Sequence, residues 1–266
     1  MKCIKKITGL LIMLLLLVSC GSVPLTGRRQ ILLVSDAELL TASLTQYEAY
    51  MNTATKSADR TKTAMVERVG KKIAAATENY LKQNGLEREI ANFQWEFNLV
   101  RDESVNAFCM PGGKIVVLEG LLPLVSTDDE LAVVLGHEVA HAVAKHSNER
   151  MSQEILAQYG ASIVDMALST RTAAMQQVGN TVFGLGAQLG VMLPYSRKHE
   201  LEADKIGLIF MTMAGYDPYS ALTFWQKMEA LSGNSGGSDV LSTHPNDNKR
   251  IAEIQKLLPE MEKYKP

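Results

Sequence analysis

Two histidines four residues apart, with a glutamate directly after the first, constrain this chain more than anything else in it. They stand in the run AVVLGHEVAHAVAKH, Ala132 to His146. Residues four apart share one face of an α-helix, so His137 and His141 can point at a single ion. Glu138 is turned about 100° from His137, which suits it to the reacting water and not to the ion itself. Two imidazole ligands and one carboxylate base form the division of labour of the HExxH pattern. The alternative is a core-facing amphipathic helix whose histidines are satisfied internally. Ligands elsewhere in the chain decide between the two.

A histidine six residues after the second ligand would mark a metzincin, but Ser147 holds that position. His146 comes five residues after His141, about 140° around a continuous helix, and so points away from the ion as a surface or second-layer residue. Downstream, SRKHELEAD offers Glu200, Glu202 and Asp204. On one helix Glu200 and Asp204 share a face, while Glu202 sits about 200° from Glu200. Glu200 as third ligand, with Asp204 bonded to the far nitrogen of a ligating ring, is consistent with that spacing. Two histidines and one glutamate leave a fourth zinc position open, as a catalytic site requires.

The chain begins MKCIKKITGLLIMLLLLVSC, with a basic start, an apolar run from Ile7 to Val18 and a small-residue stop. That layout is a secretion signal, too short for a typical membrane span. Its ending resembles a bacterial lipobox, which implies a signal peptide over 1–19, lipidation at Cys20 and a lipid-anchored tether over 20–34. Gly21 after the cysteine favours the outer membrane, facing the periplasm, in a two-membrane cell. The remaining cysteine, Cys109, lies in the apolar run NAFCMPGG and reads as a small packed hydrophobe and not a nucleophile. A net charge of −2 supplies no basic stripe for nucleic acid.

Between these landmarks the pattern is α+β and mainly helical, with a single domain over 35–266. Ser35 caps a helix running through about Tyr50, and a longer helical pattern covers about Asp59 to Asn84. NFQWEFNLVRD alternates with the period of a half-buried strand, and GGKIVVLEG supplies another after the Pro111-Gly112-Gly113 turn. Thr127 and Glu130 form a capping box at the start of the histidine helix. The apolar stretch from Met151 to Leu193 reads as a helical cover over that helix. Asp217-Pro218 opens a further helix, LSGNSGGSD is a mobile loop by composition, and a last helix follows Pro245. A small sheet therefore packs beside the histidine helix.

The motifs HEVAH, SRKHELEAD and STHPNDNKR, in that order and preceded by NAFCMPGGKIVVLEGLL, resemble the HtpX-like and CAAX-prenyl-endopeptidase zinc peptidases, metallopeptidase family forty-eight. The similarity runs from about Asn106 to Arg250. It implies a gluzincin fold with one Zn2+ per chain held by His137, His141 and Glu200, and Glu138 as catalytic base. It implies further that the strand of Lys114, Ile115, Val116 and Val117 pairs with an extended substrate at the sheet edge. His244, in STHPND, is placed near the zinc, as an oxyanion donor or as a group that fills the open position and silences it. A plain helix-start role before Pro245 is the alternative. Arg197 and Arg250 either orient nearby carboxylates or make surface ion pairs.

Integral members of that family carry several membrane helices, and none follows the signal here. The chain is more similar to the secreted lipoprotein branch typified by the periplasmic beta-barrel assembly-enhancing protease, without its repeat domain. The implied function is a zinc metalloendopeptidase that cleaves unfolded or misassembled cell-envelope proteins for quality control. A lipoprotein chaperone that binds unfolded chains without cleavage is the first alternative, and the intact Glu138 argues against it. A zinc hydrolase acting on cell-wall peptides is the second.

Overall fold

The computed structural model describes residues 20–169, 196–234 and 248–266. His244, the loop before it and most of the expected helical cover lie outside the described residues. The first ordered piece is a hairpin, with β1 (Cys20–Ser22) antiparallel to β2 (Arg29–Ile31). The segment expected as a tether is thus folded, and Val23 at its turn is buried in the main core. Helix α1 (Asp36–Thr53) starts at the capping box of Ser35 with Glu38. Helix α2 (Arg60–Gln83) starts where Asp59 accepts from the Lys62 amide, and its apolar line Val66, Val69, Ile73 and Leu81 is fully buried. A short helix α3 (Glu87–Ile90) leads into the sheet.

The sheet has three strands, β3 (Glu96–Val100), β4 (Ala107–Met110) and β5 (Lys114–Leu118), in the order β3-β5-β4. β3 runs parallel to β5, and β4 runs antiparallel to it. This corrects the expectation for Lys114, Ile115, Val116 and Val117. Their strand is central, its two sides are taken by β3 and β4, and it has no edge to offer a substrate. All five residues of β5 are buried; Ile115 to Leu118 form the apolar run of a covered strand, and the buried Lys114 pairs with Glu96. The half-buried reading of β3 also changes. α1 covers the second face, so Asn98 is buried too and donates to the Tyr47 hydroxyl at 2.7 Å.

β4 is one edge of this sheet; β3, the other edge, is bridged by Lys56 at its Val100 end. The Asn106 and Met110 carbonyls accept from the Leu118 and Gly113 amides, on the β5 side. Antiparallel alternation turns the backbone groups of Ala107 and Cys109 the other way.

A 3-10 turn (Glu119–Leu124) then leads to α4 (Asp128–Val143), which Thr127 caps by accepting from the Glu130 amide at 3.2 Å. Glu130 reaches back one residue further than a capping box would, to the Ser126 amide. α4 is buried on nearly every side, because the sheet, α2, α6 (Arg197–Met213) and α7 (Ser220–Asn234) all pack on it. α5 (His146–Ser169) follows α4, and α8 (Asn248–Leu257) with a closing 3-10 turn (Leu258–Tyr264) packs on α6. No helix among the described residues is long and apolar enough to cross a membrane.

The α4–α6 crossing is unusually close. A Cβ on Gly207 would lie 2.8 Å from the His137 amide nitrogen, and one on Gly136 would lie 2.8 Å from the Gly207 carbonyl. Backbone therefore meets backbone, which brings the first turn of α6 beside the histidines of α4. Gly207→Ala is expected to cost about 1–3 kcal/mol from overpacking, more than the up to about 1 kcal/mol that helix propensity returns. At roughly 2–4 °C per kcal/mol for a domain of this size, a thermal melt reads the change. An unchanged melting temperature would rule out the tight crossing.

Candidate metal centre

Three side chains converge where α4 and α6 cross. His137 Nε2 and His141 Nε2 are 3.1 Å apart. Glu200 Oε2 stands 3.4 Å from His137 Nε2, and Glu200 Oε1 stands 3.4 Å from His141 Nε2. Ligand atoms around a tetrahedral ion with bonds of about 2.0–2.1 Å stand about 3.3–3.4 Å apart, and each of these contacts is near that spacing, with one carboxylate oxygen facing each ring. All three residues are buried, and they form a group able to hold an ion. Two imidazoles and one carboxylate make a donor set suited to zinc.

The helices explain the placement. Ser196 caps α6 by accepting from the His199 amide at 3.3 Å, which sets Glu200 in the first turn. Asp204, one turn on, lies 3.0 Å from His137 Nδ1. A proton on that nitrogen leaves Nε2 as the lone pair facing Glu200 and His141. Burial lowers the proton affinity of His137, but the hydrogen bonds of Asp204 and Glu200 outweigh it and bring the ring to about 9. Burial holds His141 well below the ordinary imidazole value.

Arg250 from α8 closes it. The guanidinium donates to Glu200 Oε2 at 2.9 Å and to both Asp204 oxygens at 2.7 and 2.8 Å, and it is fully buried over the Trp225 ring. Glu138 is buried beside the triangle, and its Oε2 accepts from the Cys109 amide of β4 at 3.0 Å. The carboxylate, the candidate ion position and the open side of the sheet thus come together at one place.

A family model described as peptidase family M48 matches residues 60–258. The chain belongs to peptidase family M48. It is 36% identical over 245 residues to the mitochondrial metalloendopeptidase OMA1 of Schizosaccharomyces pombe, covering 90% of this chain and 66% of that one. It is 29% identical over 246 residues to the mitochondrial metalloendopeptidase OMA1 of Homo sapiens, covering 89% of this chain and 45% of that one. It is 28% identical over 167 residues to the beta-barrel assembly-enhancing protease of Escherichia coli (strain K12), covering 60% of this chain and 34% of that one. The chain spans between a third and two thirds of the length of these relatives.

In this M48 chain the structure brings His137, Glu138, His141, Glu200, Asp204 and Arg250 together. Arg197 is exposed in the first turn of α6. Of the two placements expected for His146, the second-layer one holds, and the surface one with its continuous-helix premise needs correction. It follows from one continuous helix, but α4 ends at Val143 and Lys145 adopts φ 55°, so α5 sets off in a new direction. His146 is consequently fully buried, with Nδ1 2.9 Å from His141 Nδ1. Cys109 is a buried free thiol that burial pushes well above its ordinary value, as a packed hydrophobe and not as a nucleophile.

Sequence reasoning misses a second layer of charge. Arg28, from the β1–β2 loop, lies between Glu202 and Glu149 at 2.7 and 2.6 Å, and His199 Nε2 faces Glu149 at 3.2 Å. Burial works against both carboxylate charges. For Glu149 the His199 and Arg28 hydrogen bonds outweigh it, and for Glu202 those of His146, Thr26 and Arg28 do, so each carboxyl sits at about 2. The signal open to inspection is His199 beside Glu200, with Glu149 three residues after His146. Arg28 gives none.

Proposed function

We propose that this chain is a zinc-dependent metalloendopeptidase, with His137, His141 and Glu200 as the ligands. The observation that carries the reading is the buried His-His-Glu triangle with a carboxylate, Glu138, beside it and the open side of β4 in reach. Zinc held there supplies electrophilic polarisation of the scissile carbonyl and of the attacking water. Glu138 takes the water's proton and hands it to the leaving amine. Asp204 keeps the His137 lone pair on Nε2, and Arg250 fixes the orientation of both Glu200 and Asp204. His244 is retained in this reading as an oxyanion donor or as a group that blocks the site.

The outward backbone groups of Ala107 and the outward carbonyl of Cys109 on β4 suit an added strand, while the Cys109 amide is held by Glu138; strand addition selects extended segments over folded ones. Unfolded or misassembled cell-envelope polypeptides are the substrate class. The lipobox-like LVSC ending at Cys20 and the printed name of the beta-barrel assembly-enhancing relative support an envelope lipoprotein, at the outer membrane facing the periplasm. Nucleic acid is not a partner in this reading.

The test is metal analysis of the purified protein together with cleavage of unfolded casein. One zinc per chain is expected, with cleavage lost on chelation and restored by added zinc, and with folded substrates spared. Binding of unfolded casein without cleavage, zinc present, would favour the chaperone. Cleavage confined to small crosslinked peptides would favour a cell-wall hydrolase.

A further inference from the structure

Behind His141 runs a line of buried polar contacts that hydrolysis does not use. His141 Nδ1 faces His146 Nδ1 at 2.9 Å, and His146 Nε2 faces Glu202 Oε2 at 3.0 Å. Glu202 accepts from Arg28 Nε at 2.7 Å and from Thr26 Oγ1 at 2.5 Å. The remaining Arg28 nitrogens donate to Glu149 at 2.7 and 2.6 Å, while the His199 ring stacks on His146 with centroids 4.5 Å apart. Arg28 and Thr26 come from the hairpin ahead of residue 60, where the family match begins.

Placing the protons along this line leaves one arrangement. Glu202, already accepting from two donors, is ionised and has no proton to give, so His146 Nε2 must carry one. The ligand role of His141 needs its lone pair on Nε2, the atom facing His137 and Glu200, so the single proton between the facing Nδ1 atoms sits on His141 and is accepted by His146. His146 is then neutral, with Nδ1 as an acceptor.

We propose that Arg28, acting through Glu202 and His146, fixes the tautomer of His141, so that the hairpin preceding the peptidase region completes the metal centre. Arg28 and His146 are positioning residues: neither touches the ion or the substrate. His137 takes its tautomer directly from Asp204, whereas His141 takes it through a two-residue relay. This inference rests on the ligand assignment proposed above.

Cobalt(II) binding to the full chain tests it, with affinity measured by chelator competition and geometry read from the visible d–d bands. H146A and R28A are expected to bind cobalt about 10–100-fold more weakly, with shifted bands. H146Q is expected to return most of the affinity and the parental bands, because its amide oxygen accepts from His141 and its amide nitrogen donates to Glu202. A role in folding alone would not separate Gln from Ala in the d–d spectrum. Should R28A unfold, the H146A and H146Q comparison carries the result, with R28K intermediate because lysine cannot fork between two carboxylates. Parental affinity and bands in H146A, or H146Q as weak as H146A, overturn the proposal.

Long-range 1H–15N spectra of the histidines, recorded without added metal, give a second readout. They are expected to show His141 protonated on Nδ1 in the parent and as a tautomer mixture in H146A. His141 protonated on Nε2 in the parent overturns the relay. A parent that binds no cobalt would defeat the ligand assignment, and these spectra would still decide the relay.

Discussion

Glu138→Gln is expected to lower kcat about 10^2–10^4-fold on an unfolded substrate, the range that one general acid–base group contributes. KM and metal content are expected to stay at parental values. The physical reason is in the contacts. One Glu138 oxygen accepts from the Cys109 amide at 3.0 Å, and a glutamine oxygen preserves that bond, so the side chain keeps its place between α4 and β4. The amide cannot take up a proton, so the proton transfer is lost while the packing is kept. Glu138 is not among the three groups that could hold the ion, which is why metal content should not follow activity. Steady-state kinetics on a quenched fluorescent peptide, with metal analysis alongside, measures all three quantities. A variant that cleaves at the parental rate would remove Glu138 from the chemistry, and one that loses its zinc would make it a ligand.

Arg250→Ala is expected to have the largest effect on stability. The guanidinium is fully buried and holds two buried carboxylates, Glu200 at 2.9 Å and Asp204 at 2.7 Å. It also lies 4.0 Å from the Trp225 ring centroid, a contact worth about 0.5–2 kcal/mol depending on desolvation. Removing one partner of a buried ion pair costs about 3–5 kcal/mol, because the charge left behind has neither water nor a counterion. For a domain of this size the melting temperature should then fall by roughly 6–20 °C. The measurement belongs in the presence of a chelator, where no cation can replace the lost charge. Added zinc should recover part of the loss, since the ion neutralises Glu200 but leaves Asp204 unpaired. Arg250→Lys keeps the charge without the fork and should lie between the two. A melt of the alanine variant within about a degree of the parent would mean that the carboxylates are protonated or hydrated, contrary to the buried geometry.

Much of the metal centre is legible in the sequence alone. His137 and His141 share a face because they are four residues apart on one helix, and the same holds for Glu200 and Asp204. Helical spacing is a local property, so the order of residues suffices to read it. The caps at Ser35 and Thr127 are legible for the same reason. The edge reading of β5 fails although its run IVVL carries the warning, since uninterrupted apolar residues mark a strand covered on both faces. Which strand lies beside which is a pairing across distant residues, and the pattern within one strand does not encode it. The break at Lys145, with φ 55° in a residue that is neither glycine nor asparagine, has no local marker, and it redirects His146 toward His141.

The two candidate ligand pairs, His137 with His141 and Glu200 with Asp204, and the family motifs are thus legible in the chain itself, because each depends on side chains spaced a few residues apart. Three features come from the folded packing and from nothing shorter in range: α4 and α6 meet at Gly136 and Gly207, β4 and not β5 carries the open side, and Arg28 stands behind the site. Arg28 reaches Glu149 and Glu202 across 121 and 174 residues of chain. Contacts over such separations are selected by the packing of the whole core, where close approach and charge compensation act together, and no local pattern records them.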